Sequence, residues 1–401
     1  MSIDSEIARR ASASIAQSAL TNSKRPESFV KGVYPTHLKR ASGVHAIDTS
    51  GQRYVDYICG LGTNLLGYGN QPIAEVVAKT YATGVTLSLS TVEEVELAEK
   101  VKEIMPFVDR IKVFKTGSEG CTAAVRIARA FTGRKWVLSA DSYSGWHDQF
   151  ISMQPPALGV VGDFKIARLS EQMLSEETAA VIVEPIITDA SQERIEWLKK
   201  LRDICTKLGV VLIFDETITA LRFPKFCVAN WCGVQPDMII FGKALGAGFP
   251  ISVVGGKEKI MNCGEYFTSG SFNGERVSLA AAIKTIQLLQ TRLSLQELWD
   301  AGSYFCKQFN QLELGVTIEG YPTRGVLKGD PLAKALFMQE ACKAGLLFGA
   351  SWFFAFPHRN ETDGVLATLK DVAMKLKIGK VRLEGELPRS PFAQQMREVK
   401  K

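Results

Sequence analysis

The stretch MIIFGKALGAGFP, residues 238–250, decides how this chain folds and what chemistry it can do. Four apolar residues run into Gly242 and Lys243, and small residues with two further glycines follow. The pattern predicts a buried strand that delivers one amine into a tight, glycine-lined turn. Desolvating an ammonium is costly, so a lysine held in such a place has a depressed pKa and becomes a nucleophilic free amine. A phosphate-binding P-loop does not account for the stretch. Asp237 stands six places before Lys243 where that motif needs glycine, and Ala244 replaces its Ser/Thr. GLGTNLLG at 60–67 likewise has Leu65 where a dinucleotide fingerprint wants its third glycine.

Around this stretch the chain alternates between strand and helix patterns. IKVFK (111–115), WVLSA (136–140), AVIVE (180–184), VVLIF (210–214), MIIF (238–241) and ISVVG (251–255) read as strands. Helices are expected over 119–132, with Ala124, Ile127, Ala128 and Phe131 inward, over 193–208, with Ile195, Leu198, Leu201, Cys205 and Leu208 inward, and over about 277–290. Thr91 and Glu94 form a capping box that opens a helix over 91–104. This rhythm predicts an α/β fold with a mostly parallel sheet sandwiched by helices. Residues 44–57 read as two short strands joined at Ser50–Gly51, and helical patterns over 296–312, 331–344 and 363–376 surround LLFG and WFFAF. The last block is expected to be a smaller α+β domain that the N-terminal strands join.

Ligands of an open parallel sheet sit at the carboxyl ends of its strands. There the strands deliver Thr116–Gly117–Ser118, Asp141–Ser142–Tyr143, Glu184, Asp215–Glu216–Thr217 and Gly242–Lys243. Gly117 and Ser118 at a helix start suit a phosphate, although an ordinary serine N-cap gives the same pattern. Asp215 could equally cap a helix or hold a turn, and Glu184 could be a structural carboxylate. The convergence on one rim is more telling than any single residue.

Composition narrows the function further. With 401 residues, 46% hydrophobic and 22% charged, the chain can bury a large core in more than one unit. Its 48 basic and 42 acidic residues give +6, spread along the chain, which suits an anionic small ligand and argues against nucleic acid. Eight cysteines without a CxxC, and only four histidines, make a metal site unexpected. The cysteines read as reduced thiols of a cytoplasmic protein. The first twenty residues lack the apolar core of a signal peptide and read as a polar helical arm, and no 18-residue apolar run predicts a membrane span.

Several blocks, in order, resemble a known family: AIDTSGQRYVDY (46–57), LLGYGNQP (65–72), KTGSEGCTAAVRIARAFTGR (115–134), SYSGWHD (142–148), VIVEP (181–185), LIFDETITALRF (212–223), the stretch around Lys243, and GSFNGERVSLAAA (270–282). They are similar to the class III pyridoxal-phosphate (PLP) aminotransferases of fold type I, above all glutamate-1-semialdehyde 2,1-aminomutase and its aminotransferase paralogues found with nucleotide-sugar and polysaccharide genes. The resemblance covers roughly residues 40–356. It implies a seven-stranded-type sheet, with an N-terminal arm and strands over 1–60, a large PLP-binding domain over 61–294 and a small domain over 295–401.

The resemblance also implies roles. Lys243 matches the Schiff-base lysine, and Asp215 the carboxylate paired with the pyridine nitrogen, which keeps the ring an electron sink. Tyr143 matches the aromatic stacked on the ring, Thr217 the residue on its other face, and Gly117 and Ser118 the phosphate seat. Glu184 matches a glutamate near the site. Ser271 matches a threonine that reaches the phosphate of the neighbouring subunit, which implies a homodimer with a shared active site. Catalysis then rests on Lys243, Asp215 and Tyr143, with PLP cycling through pyridoxamine 5'-phosphate between a small-molecule amino donor and a keto or aldehyde acceptor. The sequence departs from the family at Ser144, usually histidine, and at Thr217, usually valine or isoleucine. Residues 322–333 look shortened, and the aminomutase's carboxylate-binding arginine has no clean match, Arg25 lying nearby in a different pattern. The leading expectation is therefore an aminotransferase. An intramolecular aminomutase is the alternative, and a non-catalytic binding protein that keeps the fold is a second one.

Overall fold

A computed structural model describes residues 3–140, 144–151, 164–170 and 173–389. The chain divides into two compact units, residues 1–70 with 297–401, and residues 71–296.

The first unit begins with the helix Ile3–Ser14 and continues into β1 (Leu38–Ser42), β2 (His45–Asp48) and β3 (Arg53–Asp56), an antiparallel meander. In the second unit the strands are β4 (Arg110–Phe114), β5 (Trp136–Ser139), β6 (Ile166–Arg168), β7 (Thr178–Val183), β8 (Val211–Asp215), β9 (Met238–Gly242) and β10 (Ser252–Gly256). The remaining strands, β11 (Thr317–Tyr321), β12 (Arg324–Lys328), β13 (Leu346–Leu347) and β14 (Ser351–Phe353), return to the first unit. There β13 adds to β3 in parallel, so the N-terminal strands and the C-terminal block share a sheet, while β11, β12 and β14 form a second, antiparallel one. This unit is held by aromatic packing. The ring of Tyr57 stacks on Phe348 at 4.7 Å and on His358 at 4.2 Å between centroids.

The second unit is a seven-stranded sheet in the order β4-β10-β9-β8-β7-β5-β6. Neighbours from β9 to β6 are parallel, and β10 runs against both β4 and β9. The reversal follows from chain length. Residues 243–251 between β9 and β10 are too few for the crossover that a parallel strand needs. Because β10 opposes both neighbours, β4 runs in the same direction as β9, and β4, β7, β8 and β9 end on one rim. Every residue of β7, β8 and β9 is buried, as expected of strands covered on both faces.

The helix Gly117–Thr132 packs on this sheet through small side chains, with Cys121, Ala124, Ile127 and Ala128 buried. Phe131, expected inward, is 37% exposed, because the helix turns its last apolar residue past the sheet. The approach is close at Gly120, where an added Cβ would lie 2.8 Å from both Ile240 and Ser252. The capping box of Thr91 and Glu94 opens the helix Val92–Ile104. Among the described residues, no helix is long and apolar enough to cross a membrane.

Candidate active site

The rim is built by chain reversals at the ends of these strands. β4 leads through Thr116 into the helix Gly117–Thr132, and Thr116, not Ser118, is its N-cap. The Thr116 hydroxyl accepts from Glu119 N–H at 3.2 Å, while the Glu119 carboxylate accepts from Thr116 N–H at 2.8 Å. The helix's own bonding starts with Gly120 N–H donating to Thr116 O at 3.1 Å. The N–H groups of Gly117 and Ser118 precede it, at the positive end of a 16-residue helix, and make no hydrogen bond among the described residues, which suits an anion.

Two glycines let the chain pack closely at this end. A Cβ on Gly117 would fall 2.7 Å from the Thr217 methyl, and one on Gly145 would fall 2.6 Å from Ser118 Oγ. Gly145 also adopts φ +100°, a left-handed conformation that disfavours other residues. Trp146 N–H donates to Ser118 Oγ at 3.2 Å, which holds the 144–147 loop against the helix start.

β8 ends at Asp215, only 6% exposed. Its Oδ1 accepts from the Thr217 hydroxyl at 2.6 Å and from Thr217 N–H at 3.1 Å, so the carboxylate does hold a turn. Its Oδ2 accepts from the Cys121 thiol at 3.3 Å. Burial, and then the charge of Asp215, push the Cys121 thiol well above its ordinary range, so it remains an S–H donor. The same thiol feels the negative charge of Glu184, which follows β7, and the positive charge of Lys243, which follows β9.

Lys243 follows β9 directly and opens a short 3-10 turn. Its backbone is left-handed, φ 44°, which costs an L-residue about 1–2 kcal/mol. Such strain is retained where the surroundings fix it. Lys243 is half-buried rather than buried, although the strand before it and Ala244–Gly246 after it are buried.

The structure thus brings Gly117, Ser118, Glu184, Asp215, Thr217 and Lys243 to one rim of one unit. Ser271 lies on a separate, exposed loop. That loop is tied to the end of β4 by the Lys115–Glu275 ion pair at 2.9 Å. Tyr143 lies outside the described residues. Two contributors escape a reading of the sequence. Cys121 looks like one more apolar residue of a helix, and Gly145 is marked only by its place after Ser144.

Glu216, next to Asp215, is fully buried and accepts from Val228 N–H at 2.8 Å, Ala229 N–H at 3.0 Å and the Thr219 hydroxyl at 2.9 Å. Burial outweighs these donors and raises its pKa from 4.5 to about 7. The folded state therefore holds a proton that the unfolded state releases, and the stability this contributes is present below pH 4.5 and lost as pH rises through about 7. Glu216→Gln cannot titrate, and its amide sets an N–H against a backbone N–H, at a cost of about 1–3 kcal/mol. Urea unfolding at about pH 5 and about pH 8 will find the variant's deficit shrinking at the higher pH. A constant deficit would contradict this account.

The rim fits a phosphorylated pyridine aldehyde: an anion seat at a helix start, a buried carboxylate and a primary amine. Comparison with known proteins agrees. The sequence model of the family described as Aminotransferase class-III matches residues 29–165 and 162–351. Glutamate-1-semialdehyde 2,1-aminomutase of Neisseria gonorrhoeae is 31% identical over 287 residues, which is 65% of this chain and 67% of that protein. The aminomutase of Syntrophomonas wolfei is 29% identical over 397 residues, 86% of this chain and 91% of that protein. Among solved structures, the FumI protein of Sphingopyxis sp. MTA144 superposes with a TM-score of 0.86 at 23% identity, covering 94% of this chain and 98% of that one. A glutamate-1-semialdehyde aminomutase of Pseudomonas aeruginosa PAO1, solved in complex with PMP, gives 0.80 at 18% identity, covering 93% and 94%. The fold is that of the fold type I PLP-dependent transaminases, and the chain belongs to the class-III aminotransferase family of PLP-dependent enzymes.

Proposed function

We propose that this protein is an aminotransferase that moves an amino group from a small amino donor to a keto or aldehyde acceptor, with its rim residues holding PLP. The observation that carries the reading is the grouping of Asp215, Lys243 and the Gly117–Ser118 helix start on one rim of a parallel sheet. PLP, when bound, supplies an aldehyde that takes up the amino group and a ring that takes up electrons, and it leaves the first half-reaction as pyridoxamine 5'-phosphate.

The rest is work for the chain's own residues. The N–H groups of Gly117 and Ser118 would hold the phosphate, helped by the helix dipole. Asp215, a buried carboxylate, would hold a proton on the ring nitrogen, where attraction is stronger than in water. Lys243 offers its ε-amine for covalent attachment and, once displaced by substrate, its Nζ can carry a proton to and from the reacting carbon. Thr217 and Tyr143 are assigned to the two ring faces, and Glu184 to the edge of the pocket.

The proposed assembly is a homodimer in which Ser271 completes the partner's phosphate seat. In its support, exposed Leu87, Leu89, Val92, Val95 and Phe272 lie on two segments joined by Arg276, which bonds Glu93 at 2.6 Å and Gly84 O at 2.9 Å. An apolar patch of this kind marks a protein contact. A monomer mass in sedimentation at micromolar concentration would refute the dimer. None of the eight cysteines, all of them described, forms a disulfide, which supports a cytoplasmic setting.

The naming of the sequence relatives favours one second reading, the intramolecular aminomutase. A donor–acceptor panel followed through the cofactor's absorption separates the two. Aminotransfer predicts that an amino acid alone converts the bound cofactor to its amine form and that a keto or aldehyde acceptor restores it. Product from glutamate-1-semialdehyde without any added donor would favour the aminomutase, and a bound cofactor that no amine converts would favour a binding protein.

A further inference from the structure

Asp215 has more hydrogen-bond partners than a residue serving one ligand atom requires, and their arrangement is specific. A carboxylate offers about four acceptor positions, two on each oxygen. Three are occupied among the described residues. Oδ1 takes two donors from Thr217, the hydroxyl at 2.6 Å and the backbone N–H at 3.1 Å. Oδ2 takes one, the Cys121 thiol at 3.3 Å. The acceptor position that the described residues leave is on Oδ2.

The two side-chain donors are unequal. A hydroxyl on a carboxylate is a strong donor, whereas a thiol is a weak one. Oδ2 therefore keeps more of the negative charge than Oδ1. The thiol itself is firmly placed. Cys121 is 1% exposed on a helix that Gly120 brings tightly against β9 and β10, and Thr217 is wedged against Gly117 from the other side.

We infer that Cys121 and Thr217 form a two-sided clamp that presents Oδ2 of Asp215 as the acceptor for the protonated ring nitrogen and sets how strongly it accepts. Cys121 and Thr217 are positioning residues in this scheme, acting through Asp215. The inference rests on the reading that Asp215 meets the pyridine nitrogen of PLP. It also gives the Thr217 hydroxyl a purpose: it is turned to the carboxylate and saturates the oxygen that is not used.

The clamp predicts opposite effects from two small changes at one position. Cys121→Ser sets a stronger donor on Oδ2, draws off its charge and weakens its hold on the ring proton. Cys121→Ala removes the donor and strengthens that hold. A less firmly protonated ring nitrogen raises the pH at which the lysine-bound cofactor loses its visible absorption band, and a more firmly protonated one lowers it. The other titratable groups around the clamp, Glu184, Lys243 and Glu216, are the same in every variant.

The test is a pH titration of that band in the PLP-loaded wild type, Cys121→Ser and Cys121→Ala, with thermal melting of each. The midpoint is expected to rise for Ser and fall for Ala, each by about half a pH unit, the size of one hydrogen bond's contribution. Thr217→Val, on the less buried side, is expected to move the midpoint the same way as Cys121→Ala, and it carries the test if the variants at 121 fail to fold. A packing role alone would change melting and leave the midpoints together. Midpoints that coincide with the wild type, or that move in the same direction for Ser and Ala, would overturn the clamp and leave the function reading intact. A wild type that develops no band with PLP would overturn both.

Discussion

Lys243→Ala is expected to lower turnover by about 10^4-fold or more, because one side chain supplies both the covalent anchor and the proton carrier. The loss would be chemical rather than structural. Lys243 begins a 3-10 turn at the rim, the residue is half-buried, and the apolar packing on either side belongs to Phe241, Ala244 and Leu245. Alanine leaves that packing in place, so the melting temperature is expected to stay within a few degrees of the wild type. The left-handed backbone at φ 44° adds a check. Glycine adopts that conformation without the Cβ penalty, so Lys243→Gly should be more stable than Lys243→Ala by about 1 kcal/mol while equally inactive. Both variants are compared by steady-state transamination and by thermal unfolding. Appreciable turnover in either would remove Lys243 from the centre of the mechanism.

Asp215→Ala is expected to cost about 10^2–10^3-fold in kcat/KM, the scale of removing one preorganised charged partner from a water-poor site. It should also loosen the fold by about 1–3 kcal/mol, since Cys121 and Thr217 lose their acceptor. Asp215→Asn separates the two effects. The amide keeps an oxygen for Thr217 and fills the same volume, so most of the stability should return. Its neutral group cannot hold a proton on the ring nitrogen, so the activity should not. Recovery of activity with Asn would show that the turn, and not the charge, is what the site needs.

Much of this site is legible in the sequence because each key residue terminates an unbroken apolar strand. VVLIF ends at Asp215 and MIIFG at Lys243, and strand order then places both on one rim. What is not legible has a physical reason in each case. Cys121 sits at a helix position that periodicity marks as core. Only the folded chain sets its sulfur against a carboxylate 94 residues away. Ser118 reads as a helix cap because the serine and threonine at 116–118 are interchangeable in pattern, and it is the capping box with Glu119 that selects Thr116. β6 is a three-residue edge strand, Ile166–Arg168, too short to alternate visibly. The β11–β12 hairpin is hidden because Gly320 and Gly325 interrupt both strands where they face each other, and glycine reads as loop. The reversed β10 follows from the short 243–251 connection, a constraint of length rather than of residue type.

The lysine that carries the cofactor can be identified directly. The wild-type protein is incubated with PLP, reduced with borohydride, digested, and the peptides are weighed. A phosphopyridoxyl group is expected on the peptide containing Lys243, at close to one per chain, and none on Lys243→Ala treated in the same way. A label on another lysine, or an unlabelled wild type, would contradict the assignment of Lys243.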